Sequence, residues 1–200
     1  MPGIEALQKK YLYDELLENN YLQCTIFNKS FKSFTLKRKG SYTCSCFITE
    51  TPGGMMIYGD MHPGGGQGLI SPYQYNLLWF SKALSPDYLA SKFLTKCWVP
   101  ELAKEEIEGW LAHPDWYSLE ELTSEQIEDL TSIKNNIASS QESFYESLQD
   151  TECVGHLLDE GPPGWGYEPK DYALLVAIQR RFSKCFEEQN VLELYREMEF

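Results

Sequence analysis

Residues 42–68 read YTCSCFITETPGGMMIYGDMHPGGGQG, and their alternation decides the fold class. Tyr42, Cys44, Cys46 and Ile48 fall on one face of an extended segment, with Thr43, Ser45, Phe47 and Thr49 on the other. Thr51-Pro52-Gly53-Gly54 supplies a turn, because proline presets φ and glycine accepts positive φ without steric cost. Met55–Tyr58 returns as the partner strand. Five glycines and Pro63 between Gly59 and Gly68 forbid a regular continuation.

Toward the N-terminus, Phe31–Lys37 alternates weakly before a polar turn at Lys37-Arg38-Lys39-Gly40, and Tyr21–Phe27 is a short strand or an extended connection. The pattern predicts an antiparallel meander of two to four strands. Residues 4–18 predict one amphipathic helix, with Ile4, Leu7, Tyr11 and either Leu12 or Leu16 on a shared face.

Toward the C-terminus the period changes from two to 3.6 residues. After Ser71-Pro72, Tyr75, Leu78 and Trp79 share a helical face, and Ser85-Pro86 marks a helix start. Ser118 with Glu121, and Thr123 with Gln126, both fit a capping box, and one of them is the true start. Ile127, Leu130, Ile133, Ile137, Phe144 and Leu148 predict a long helix from about Ser124 to Leu148. Residues 161–166 form a Gly/Pro loop, and Pro169 opens a last helix that turns Tyr172, Leu175, Val176, Gln179 and Phe182 inward. Strands early and helices late give an α+β fold, a small antiparallel β-meander packed against a predominantly helical C-terminal part. The expectation is one domain over 1–200, with helix and meander in 1–70 and helices in 71–200.

Charge is unevenly placed along the chain. Residues 101–160 hold two lysines and sixteen acids, and so carry −14 in a protein of net charge −13. Six cysteines are scattered without a framework spacing, which favours reduced thiols. No apolar run reaches the length of a membrane span, and the first twenty residues carry acids instead of the apolar core of a signal peptide. The expectation is a soluble cytoplasmic protein without a membrane partner.

Several residues carry candidate chemistry. Asp60 and His62 stand where a strand runs into the glycine loop, and a carboxylate beside an imidazole can orient a proton-transfer base; adjacent side chains on extended backbone nevertheless point apart. Gly64, Gly65, Gly66 and Gly68 lack the lysine and hydroxyl of a Walker loop, since Leu69-Ile70 follow. Cys44, Cys46, Cys153 and His156 offer four soft ligands for zinc, but no CxxC pair exists and lone cysteines commonly serve as small buried hydrophobes. No catalytic residue, metal or cofactor is assigned. Lys37-Arg38-Lys39 is a local basic patch, yet direct nucleic-acid binding is opposed by the net charge of −13.

The acidic stretch has two readings: a solvated surface, or a set of carboxylates offered to a basic partner much as phosphates are. Its core is Glu101, Glu105, Glu106, Glu108, Glu120, Glu121, Glu125, Glu128 and Asp129. Trp165, in the Pro/Gly loop, is either an exposed aromatic anchor or a plug folded onto the core.

Tyr42–Gly54 followed by Ile57-Tyr-Gly-Asp-Met61, then Leu84-Ser-Pro-Asp-Tyr88 with Lys92, and the Tyr172…Ala177-Ile178 helix resemble a pattern in small bacteriophage and prophage proteins of unknown function. The similarity covers about half the chain, and His62 with a glycine insertion replaces the usual glycine after Gly-Asp-Met. The resemblance implies a phage accessory protein acting in the cytoplasm of a host bacterium, of the kind that binds and disables a host factor such as an immune nuclease. The expected function is therefore an acidic, anti-CRISPR-like inhibitor that covers the basic surface of a host defence or nucleic-acid-handling protein. The alternative is a small enzyme or nucleotide-binding protein using the Asp60–Gly68 loop, and a homo-oligomeric component is a third possibility.

Overall fold

The alternation around Ile48 builds the middle of an antiparallel sheet. The computed structural model describes residues 4–193 apart from 42, 62, 64–68, 73–74, 83, 118, 120–121, 138–139, 152–153, 155–156 and 158–162, and gives the backbone alone at 26 and 69–72. Five strands lie side by side in chain order: β1 (Asn20–Phe27), β2 (Lys32–Arg38), β3 (Cys46–Thr51), β4 (Gly54–Gly59) and β5 (Leu69–Pro72). The helices in order are α1 (Ile4–Tyr11), α2 (Tyr13–Leu17), α3 (Leu77–Phe80), α4 (Pro86–Phe93), α5 (Pro100–Ala112), α6 (Ser124–Asn135), α7 (Gln141–Gln149) and α8 (Pro169–Glu188). A short ribbon pairs β6 (Cys97–Trp98) with β7 (Trp165–Gly166). The fold is α+β.

Register follows from the hydrophobic face. Phe34 pairs with Ile48, Leu36 with Cys46, and Ile48 with Ile57, so Phe34, Leu36, Cys46, Ile48, Met55 and Ile57 point to one side and are all buried. The β3–β4 hairpin closes at Thr51↔Gly54 around Pro52-Gly53, as the turn residues require. Thr51 Oγ1 accepts from Gly53 N at 3.2 Å and donates to Gly54 O at 3.2 Å. Pro72 closes β5 on the sheet edge, where its missing N–H costs no ladder bond.

The chain separates into two compact units, Lys96–Glu168 and Pro2–Thr95 with Pro169–Phe200. The divisions fall at 95/96 and 168/169, and the last helix belongs with the sheet. In that unit Phe182 of α8 meets Phe34, Phe80 and Phe186 at centroid distances of 6.4, 5.3 and 5.5 Å. Gln179 is buried but satisfied, its Nε2 donating to Phe80 O at 3.0 Å and Lys82 O at 2.6 Å. The edge of β1 is covered by side chains: Arg181 Nε donates to Asn20 O at 2.6 Å, and Gln189 exchanges two bonds with the Leu22 backbone at 2.9 and 3.1 Å. In the other unit Ala103, Ile107, Trp110, Leu119, Leu130, Phe144, Leu148 and Val154 make a smaller core.

Three expectations are corrected. The helix over 4–18 is broken at Leu12, whose φ of 55° is left-handed, so α1 and α2 are separate. The helix over 124–148 is two helices: Asn136 leaves helical geometry at φ −116°, and Ser140 starts α7 by accepting from Ser143 N at 3.3 Å. The strand begins at Cys46, because Cys44 turns into the left-handed region at φ 57° and Asn20 Nδ2 donates to its carbonyl at 3.0 Å. Cys44 and Cys46 thus do not share a strand face.

Candidate functional site

The described acidic candidates lie on α5 and α6. Pro100 opens α5 after extended Val99, whose N–H donates to Gly164 O at 2.8 Å. Leu102, Ala103, Ile107 and Trp110 are buried on one side of this helix. Glu101, Glu105, Glu108 and Ala112 recur at i, i+4, i+7 and i+11 on the other, and all four are exposed. Helix α6 starts at the capping box formed by Thr123, not Ser118: Gln126 N donates to Thr123 Oγ1 at 3.2 Å, and Thr123 N to Gln126 Oε1 at 2.9 Å. Leu130 is its buried residue, while Glu125, Glu128 and Asp129 are exposed.

These carboxylates sit three and four residues apart, as Glu101/Glu105, Glu105/Glu108, Glu125/Glu128 and Glu125/Asp129. Each like-charged pair costs about 0.2–0.5 kcal/mol of helix stability. Compensation is sparse, because residues 96–168 hold three lysines and seventeen acids. Lys134 Nζ approaches Glu108 at 3.7 Å with Glu108 half exposed, a contact of little energy.

Glu106 stands apart from the exposed set. Its side chain turns inward, and Oε2 accepts from Gly164 N at 2.9 Å. Burial pushes its carboxyl above the ordinary range, the Gly164 N–H opposes that rise, and the Glu105 charge adds to it. It is a tether for the loop before β7. A Cβ on Gly164 would lie 2.7 Å from Ala103 Cβ, which explains why glycine at φ 76° sits here. The tethered loop presents Trp165, 44% exposed and paired across the ribbon with Trp98. Glu120 and Glu121 lie outside the described residues.

Sequence reasoning missed Trp116. This indole is 76% exposed and stacks on His113 at 4.0 Å with planes 15° apart. It rides on the 3-10 turn Pro114–Tyr117, where Trp116 N donates to His113 O at 3.0 Å and Leu119 N to Pro114 O at 3.1 Å. The local signal was a proline directly after the end of a helix, which stops α5 and starts the turn.

The alternative loop site is less developed. Gly59 holds φ 125°, and a Cβ there would lie 3.0 Å from Ser45 O. Met61 N donates to Ser45 O at 3.0 Å, and Asp60 between them is exposed. His62 and Gly64–Gly68 lie outside the described residues. A cleft of about 550 Å³, lined by Leu78, Lys82, Phe186, Glu187 and Asn190 among others, does not include Asp60. Of the zinc candidates, Cys46 is fully buried with its thiol pushed up to about 12 by desolvation, which disfavours the thiolate a metal needs. Cys153 and His156 lie outside the described residues, and among those described no three His, Cys, Asp or Glu side chains are placed to hold a metal ion. No described helix is long and apolar enough to cross a membrane.

Comparison of the chain with family models, with curated proteins and with solved structures finds no match.

Proposed function

We propose that this chain is a phage-encoded, non-enzymatic binding protein that covers the basic, nucleic-acid-binding surface of a host defence or nucleic-acid-handling protein with its acidic unit. One observation carries the reading: α5 and α6 keep Glu101, Glu105, Glu108, Glu125, Glu128 and Asp129 exposed within a stretch of seventeen acids and three lysines, with like charges three and four residues apart. A surface tuned only for solubility gains nothing from grouping one sign of charge along a helix, whereas a surface facing clustered cations does. Trp165, first residue of β7 behind the tethered Gly164 in the same unit, adds an aromatic contact of the type that anchors interfaces.

The test is affinity capture from bacterial lysate in low salt, with the Glu101→Lys/Glu105→Lys/Glu108→Lys variant as control. The expected result is a set of nucleic-acid-binding proteins that double-stranded DNA competes off and that the variant fails to retain. Retention of the same proteins by the variant, undiminished by DNA, contradicts the reading.

A further inference from the structure

An indole that is three-quarters exposed has two explanations: a loosely held turn, or a platform held out for a ligand. The turn carrying Trp116 is firmly seated. His113 N donates to Gly109 O at 2.9 Å, the two bonds from Trp116 N and Leu119 N follow, and Leu119 is buried in the core of the acidic unit. Tyr117 packs over α5 so closely that a Cβ on Gly109 would fall 2.8 Å from its Oη. These bonds and contacts hold the turn with the ring outward. One face of the indole is occupied by the His113 imidazole, and exposure of 76% leaves the other to solvent.

Charge complementarity decides what suits that face. The ring stands in a unit carrying −14, next to exposed Asp115 and at the C-terminal end of the helix bearing Glu101, Glu105 and Glu108. An apolar partner would have to desolvate these carboxylates, and an anion would be repelled. A cation gains from both the π face and the surrounding charge. Between the two side-chain cations, the guanidinium is planar and weakly hydrated, so it can stack on an indole with its N–H edge left free to hydrogen-bond. The ammonium is a strongly hydrated point charge and stacks poorly.

We propose that the His113–Trp116 stack is a receptor for an arginine of the basic partner, the guanidinium lying on the open face of the indole. The proposal rests on the acidic-surface reading and gives it an anchor and a preference for arginine over lysine. Phe31, 37% exposed in the other unit, is the internal control for a merely sticky aromatic.

The experiment titrates the full chain with octa-arginine and octa-lysine in the same low-salt buffer by isothermal calorimetry. Wild type should favour octa-arginine, and Trp116→Ala should reduce the arginine-to-lysine affinity ratio by about threefold to fivefold. Lysine binding should change less than twofold, and Phe31→Ala should leave the ratio alone. Substitution at so exposed a site leaves folding intact, which circular dichroism checks. A ratio unchanged in Trp116→Ala, or lowered equally by Phe31→Ala, overturns the arginine receptor while leaving the acidic surface standing. Failure of both peptides to bind wild type overturns both readings.

Discussion

The sheet unit and the acidic unit spend their sequence differently. Helix α8, in the sheet unit, buries twelve of its twenty residues, including Tyr172, Leu175, Ile178, Phe182 and Phe186, and so acts as the spine of the larger core. Helix α6, in the acidic unit, buries only Leu130 of its twelve residues, half-buries Gln126, Thr131, Ile133 and Lys134, and exposes Glu125, Glu128 and Asp129 among the rest. Outside residues 96–168 the chain has fourteen basic and thirteen acidic side chains, against three and seventeen within them. One unit is built around packing. The other is built around what it shows to solvent, and its helices accept repulsion to show it.

The largest expected effect tests the packing side. Phe182→Ala removes a fully buried ring that meets three other phenylalanines, and should cost about 3–5 kcal/mol in denaturant unfolding. A cost below about 1 kcal/mol would mean that α8 is not the spine described. Next comes Gly59→Ala, where φ of 125° and a Cβ at 3.0 Å from Ser45 O should cost about 1–3 kcal/mol by the same measurement.

The acidic side is tested by salt and by pH. If like charges on α5 and α6 repel, raising NaCl from about 20 mM to about 500 mM raises the melting temperature, because screening relieves each pair of about 0.2–0.5 kcal/mol. Calorimetry showing no rise would indicate that the carboxylates are compensated. Glu106 predicts a subtler trend. Its folded carboxyl holds its proton more tightly than the unfolded one, so its contribution to stability is full below the unfolded pKa and is lost as pH rises through the folded value. Glu106→Gln keeps an acceptor for Gly164 N and should flatten that slope, whereas Glu106→Ala should destabilise at every pH by removing the acceptor. The smallest effect is chemical: Cys24 and Cys97 are exposed and should label promptly with a thiol reagent, while buried Cys46 and Cys185 should label only on unfolding.

What the sequence disclosed was local. The Cys46–Tyr58 hairpin, the Thr123 capping box and the inward face of α8 each rest on neighbours a few residues apart, and all were legible. The breaks were not. Ile133, Ile137 and Phe144 keep a helical period across the end of α6, so nothing in hydrophobicity marks Asn136 and Ser140 as cap residues. Leucine at a left-handed φ in Leu12 is likewise invisible to propensity, which counts leucine as a helix former. At the candidate interface, Glu106 reads as one more acid until Gly164, fifty-eight positions away, claims its oxygen. Trp116 belongs to no motif the sequence offers, and the turn after Pro114, with its bonds to His113 O and Pro114 O, leaves its ring exposed.

The account stands on the claim that exposed carboxylates of residues 96–168 bind a partner electrostatically. The direct measurement is the affinity of the purified chain for a captured partner across a range of NaCl concentrations. The account predicts a steep, continuous fall in affinity as salt rises, and a much shallower one for the Glu101→Lys/Glu105→Lys/Glu108→Lys variant. An affinity that is flat with salt, and equal in the variant, would contradict it.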